Sequence, residues 1–180
     1  MTIEKFGIVY ADPPWRYAQK RLQGAAEKHY PTMTIDEICA LPVAGITDKD
    51  CILFLWTTFP QLPEALCVIK AWGFMFKTVG FVWLKQNKKS LSWFFGLGFW
   101  TRGNAEICLV ATKGKPKRVS NGVHQLIVSP IEAHSKKPDV TRDKIVELMG
   151  DLPRIELFAR NKTKGWHVWG NEVESDIALL

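Results

Sequence analysis

Short apolar runs alternate with stripes of helical spacing along this chain, and that alternation narrows the possible folds more than any other feature. Phe6 to Ala11, Cys51 to Trp56, Phe74 to Leu84, Glu106 to Thr112, Arg154 to Ala159 and a last stretch around Trp166 to Trp169 read as strands. Thr34 to Leu41 reads as a short helix: Thr34 is the N-cap, and Glu37 three residues on completes a capping box. Pro63 to Trp72 carries a helical stripe ended by Gly73, and Asp139 to Met149 is a helix closed by Gly150. Strands alternating with helices indicate an α/β protein, a sheet flanked on both faces by helices. At 180 residues and 47% hydrophobic the whole chain is expected to form a single domain. No apolar run approaches the ~20 residues that cross a bilayer. Cys39, Cys51, Cys67 and Cys108 form no CxxC pair, so neither a disulfide framework nor a zinc site is expected, and they read as reduced core residues of a cytoplasmic protein.

The net charge of +6 is unevenly spread. Residues 85–118 hold eight basic groups against Glu106 alone, whereas the segments on either side are close to balance. Lys85, Lys88, Lys89, Arg102, Lys113, Lys115, Lys117 and Arg118 are interleaved with Trp93, Phe94, Phe95, Phe99 and Trp100. Cations and aromatic rings in one glycine-containing loop suit a polyanion with stackable bases. A solvated surface loop is the competing reading.

In α/β sheets ligands collect at the carboxyl ends of strands. The first strand runs directly into Asp12-Pro13-Pro14-Trp15, and the strand at Arg154 to Ala159 runs into Arg160-Asn161, with Gly170-Asn171-Glu172 a little further on. Each proline fixes its own φ and biases its predecessor to extended geometry, so the first of these loops is stiff. Stiffness also serves methylation of an exocyclic amine. Adenine N6 is a poor nucleophile because its lone pair is delocalised into the ring, and an enzyme must accept its protons and steer nitrogen towards tetrahedral geometry. Asp12 would supply one acceptor and the Pro13 carbonyl another, Pro14 keeping both preorganised, while Trp15 offers a face for the base. No metal is required. In a duplex the amine is buried, so the base must be flipped or unpaired.

The chain resembles the S-adenosylmethionine-dependent N6-adenine methyltransferase family named for the 70-kDa subunit of the eukaryotic mRNA adenosine methyltransferase, which has small bacterial and phage members. The resemblance covers nearly the whole chain. It is carried by Ala11-Asp12-Pro13-Pro14-Trp15, Tyr30-Pro31-Thr32-Met33, Leu53-Phe54-Leu55-Trp56, Val82-Trp83-Leu84-Lys85, Gly98-Phe99-Trp100, Lys137-Pro138-Asp139 and Ile155 to Arg160 with Gly170-Asn171-Glu172. It implies a permuted Rossmann-like methyltransferase fold with a mixed, mostly parallel sheet, the catalytic strand first and the cofactor-binding strand last. It also implies that S-adenosylmethionine is held by Asp12 at its methionine end, Lys137 at its carboxylate, and Phe158, Arg160, Asn171 and Glu172 around ribose and adenine. Two loops, Arg16 to His29 and Gln86 to Ala105, would overhang the base pocket. Tyr30, Trp100, Arg102 and Glu106 fall on positions facing the substrate, with Lys88 and Lys89 of the basic stretch beside them.

No separate target-recognition domain is expected, so sequence readout would fall to the loops, a homodimer partner or a second subunit. Rival readings are weaker on the residues. N4-cytosine enzymes usually carry Ser where Asp12 stands, and a zinc deaminase needs HxE and PCxxC signatures that are missing. A non-catalytic partner subunit of the same fold sits poorly with an intact Asp12-Pro13-Pro14-Trp15. DNA is favoured as substrate and RNA stays open, since adenine presents the same N6 in both.

Overall fold

The computed structural model describes residues 5–16, 32–98, 100–133 and 135–179. Its strands are β1 (Phe6–Ala11), β2 (Thr47–Thr57), β3 (Met75–Gln86), β4 (Ala105–Lys113), β5 (Leu126–Pro130), β6 (Arg154–Leu157) and β7 (His167–Trp169); its α-helices are α1 (Ile35–Cys39), α2 (Leu62–Ala71) and α3 (Val140–Met149). The strands form one sheet in the order β5-β3-β4-β2-β1-β6-β7. Every neighbouring pair is parallel except the two that β4 makes with β2 and β3, so β4 alone runs against the rest. This is the mixed, mostly parallel α/β sheet expected of the chain.

Period-two alternation sorts the side chains of β1 and β2 into two cores. Val9, Ala11, Leu53 and Leu55 face one way and pack with Ile38 of α1 and Ala65, Val68 and Ile69 of α2. Tyr10, Phe54 and Trp56 face the other way, towards Ile145 and Met149 of α3. The Thr34–Glu37 capping box starts α1 as the sequence predicts, both reciprocal bonds being present. The Trp72 indole donates to the Ile38 carbonyl at 2.9 Å and locks α2 to α1.

β2 and β5 depart most from the sequence reading, and β6 ends at Leu157, two residues before Ala159. β2 starts four residues before Cys51, because polar residues Asp48 to Asp50 extend it at the solvent-exposed end beside Gly114 and Lys115. β5 has no counterpart among the predicted strands. It is an edge strand with Leu126 and Val128 exposed and only Ile127 buried, so no sustained apolar pattern marks it.

The second core contains charges. Arg142 of α3 donates to both carboxylate oxygens of Glu156 on β6, each at 2.7 Å, and lies over the Tyr10 ring, whose hydroxyl accepts the Trp56 indole N–H at 2.7 Å. Arg142 also reaches Asp139 at 2.8 Å. This fork fastens the first turn of α3 against the sheet. Removing one partner leaves an uncompensated buried charge, whereas removing both does not. Chemical denaturation should show Arg142→Met losing roughly 3 kcal/mol or more, with most of the loss recovered in Arg142→Met/Glu156→Leu.

Candidate active site

β1 ends where Pro13 and Pro14 stop the ladder, and the alternation of its side chains carries Asp12 to the same face as Tyr10. The loop that follows is pinned from below. Met33 donates to the Pro14 carbonyl at 2.9 Å, and Arg16 donates to the Met33 carbonyl at 3.0 Å. The Pro13 carbonyl accepts the Trp15 N–H at 2.8 Å, which leaves it one lone pair for a ligand.

Facing Asp12 is a chain of alternating charges. Lys137 Nζ donates to Asp12 Oδ2 at 2.8 Å and lies 3.2 Å from Glu106 Oε2, and Glu106 Oε1 pairs in turn with Lys85. The third donor of Lys137 points to the Ser135 carbonyl at 3.3 Å. The Lys137 side chain is 9% exposed and that of Glu106 14%, while Asp12 keeps 26%. Burial lifts the Asp12 carboxyl above its ordinary range, with Lys137 opposing and Glu106 adding to the lift. Burial pushes Glu106 the same way, but Lys137 and Lys85 outweigh it and hold this carboxyl below the ordinary range. Burial disfavours the Lys137 ammonium, and its two carboxylates more than compensate, so its pKa is raised.

Asp12, Pro13, Trp15, Thr57, Thr58, Glu106, Ser135 and Lys137 line a cleft of about 50 Å³. Thr57 ends β2 and Thr58 follows it as Asp12 follows β1, and the strand-end rule that singles out Asp12 would also have found them. Lys85 and Ser135 escape the sequence reading as site residues. Lys85 closes a strand motif, but nothing in the sequence pairs it with Glu106 across two antiparallel strands.

Next to β1 lies β6, with Ala11 opposite Leu157. Phe158 leaves that strand at φ 62°, a left-handed turn that an aromatic residue rarely takes, and packs edge-on against Trp169 at 5.4 Å. Ala159 donates to the Trp169 carbonyl at 3.0 Å, and Gly170 sits so close that a Cβ there would lie 2.3 Å from the Ala159 oxygen. Arg160 and Glu172 meet at 3.4 Å, with Asn171 exposed beside them. The four residues assigned by resemblance to ribose and adenine thus cluster at two adjoining strand ends. Trp100, Lys88, Lys89 and Arg102 stand out on the exposed loop between β3 and β4, and none of them lines the cleft. Tyr30 and the first loop beyond Arg16 lie outside the described residues. No three metal-ligating side chains cluster among the described residues.

The family model described as MT-A70 matches residues 6–172. The chain is 36% identical over 190 residues to the type II methyltransferase M.MunI of a Mycoplasma species, covering 94% of this chain and 78% of that protein. It is 33% identical over 177 residues to an N(6)-adenosine-methyltransferase MT-A70-like protein of Drosophila melanogaster, and 32% identical over 174 residues to the human N(6)-adenosine-methyltransferase catalytic subunit METTL3. Those matches span 96% and 94% of this chain but only 28% of either longer protein.

One expectation needs correction. Trp15 is not an open platform for a base: it is 8% exposed, belongs to the core beneath the loop, and donates its indole N–H to the Trp56 carbonyl at 3.2 Å. Trp15 still lines the cleft, but most of its side chain is packed in the core. Trp15→Ala should therefore lower stability by roughly 3 to 5 kcal/mol in a denaturant titration, while Trp15→Phe, which keeps most of the packing, loses much less.

Proposed function

The chain belongs to the MT-A70 family, and from that premise we propose that it transfers a methyl group from S-adenosylmethionine to N6 of adenine in DNA. The observation that carries this reading is the Asp12 carboxylate, fixed at the end of β1 by two prolines and presented into a cleft that also holds Lys137 and Glu106. DNA is favoured over RNA because the chain spans 78% of a type II methyltransferase but only 28% of the N6-adenosine enzymes.

The donor set fits the cofactor. Its sulfonium supplies an electrophilic methyl group. Asn171 and Glu172 offer an amide and a carboxylate to pair with ribose hydroxyls, and Phe158 offers an aromatic edge beside them. Lys137 suits the cofactor's carboxylate, but all three of its donors are already engaged, so it must give up one internal acceptor to serve there. Lys137 occupies Asp12 Oδ2, which leaves Oδ1 to accept a proton from the amine. Glu106 keeps Lys137 charged and in place. The cleft places Asp12, the Pro13 carbonyl and Lys137 around one point, where the amino edge of adenine would enter. Alignment of nitrogen with methyl carbon is then the main catalytic contribution.

Nucleoside mass spectrometry after incubation with cofactor and matched DNA and RNA strands tests the assignment. Asp12→Asn should lower methyl transfer by about a hundredfold or more. Because burial raises the Asp12 pKa, ionising Asp12 costs the folded state stability as pH rises through the carboxylate range. The sign for activity is the opposite: Asp12 must be ionised to accept a proton, so kcat/KM should fall as pH drops through a pKa above the ordinary carboxylate range. Wild-type turnover by the variant would remove Asp12 from the mechanism.

Lys88, Lys89 and Arg102 are exposed on a loop whose base adjoins Glu106. If they meet phosphates, neutralising all three should flatten the log-log salt dependence of DNA affinity by up to about 0.9 for each phosphate no longer neutralised. An unchanged slope would move the backbone path elsewhere.

A further inference from the structure

The loop of residues 87–104 has a built tip. Its stem is laced by Asn87 N–H to the Ser92 carbonyl, Phe94 N–H to the Lys85 carbonyl and Lys85 N–H to the Asn104 carbonyl, at 2.8 to 2.9 Å. Beyond the stem the two passes of backbone touch. A Cβ at Gly96 would lie 2.0 Å from the Gly103 oxygen, and one at Gly98 1.9 Å from the Thr101 oxygen, so only glycine permits this closure. Arg102 closes it further, lying over the Phe95 ring at 5.4 Å and donating to the Gly98 carbonyl at 3.4 Å. Held out by this closure are Leu97, 83% exposed, and Trp100, 99% exposed.

A closed tip that projects an aliphatic and an indole side chain into water needs a partner that covers them. We propose that it is a wedge for duplex DNA, entering the base stack beside the target adenine and filling the gap left when that base swings into the cleft. This rests on the methyl-transfer reading above. Two observations select this occupant. The loop that carries the wedge also carries cations that suit a polyanion, Lys88 and Lys89 exposed near its start and Arg102 in its tip. Its stem rises from the rim of the cleft, since Lys85 at the end of β3 pairs with Glu106 at the start of β4. The chemistry supplies the need: N6 in a duplex is paired and stacked, and apolar side chains inserted between base steps offset the unstacking.

The test uses the full chain with cofactor and one target sequence in three forms: single strand, paired duplex, and duplex with an abasic site opposite the adenine. For Leu97→Ser, and for Leu97→Ser/Trp100→Ser, the ratio of duplex to single-strand kcat/KM should fall by about tenfold or more and recover on the abasic duplex, where the base is already unpaired. Equal losses on all three forms would overturn the wedge and leave a stacking surface for single strands; no loss on any form would also overturn it. Fluorescence of 2-aminopurine at the target position reads base opening without chemistry. It should rise when the wild type binds duplex and stay low with the double variant. A wild type that opens the base yet methylates nothing would uphold the wedge while refuting the methyl-transfer reading.

Discussion

The cleft at the end of β1 depends on one ammonium group. Lys137 ties Asp12 to Glu106, and Glu106 is tied to Lys85, so four charges of alternating sign join β1, β3, β4 and the approach to α3. Each ion has been taken largely out of water, which is tolerable only because each has an opposite neighbour within hydrogen-bonding distance. The arrangement gives Asp12 a carboxylate whose charge burial opposes and Lys137 supports. A group in that state gains from any incoming proton donor, and an exocyclic amine is one. The same lysine lets the cleft respond to a ligand carboxylate, since exchanging one acceptor for another changes the field at Asp12.

Lys137 reaches its place because α3 is anchored elsewhere. Arg142, in the first turn of that helix, grips Glu156 and Asp139, and the helix in turn fixes the segment that precedes it. Here the second core has a use beyond burial. Its polar fork lies beneath the site and sets the starting point of a segment that side-chain packing alone would leave free to slide.

Much of this arrangement can be read from the chain. Strong alternation and clear helix boundaries locate β1, β4 and the three helices, and the strand-end rule leads to Asp12, Arg160 and Asn171. What stays hidden depends on distance in sequence. Lys137 meets Asp12 across 125 residues, and Lys85 meets Glu106 through antiparallel pairing, neither of which local pattern reveals. β5 escapes because an edge strand needs only one buried residue. Trp15 misleads for a different reason. An aromatic residue in a strand-end loop looks like a ligand platform until the direction of the chain after two prolines is known, and here that direction returns its ring to the core.

The reversed strand has a consequence for how such a protein can diversify. Because β4 runs against β3, the segment between them leaves the sheet and re-enters it at the same end of the strands, as a hairpin does, with no helix needed to carry the chain back. Its length is therefore decoupled from the rest of the topology. A lineage can lengthen, shorten or exchange this loop while β1 and its neighbours keep their register. The loop and the end of β1 can thus change at separate rates.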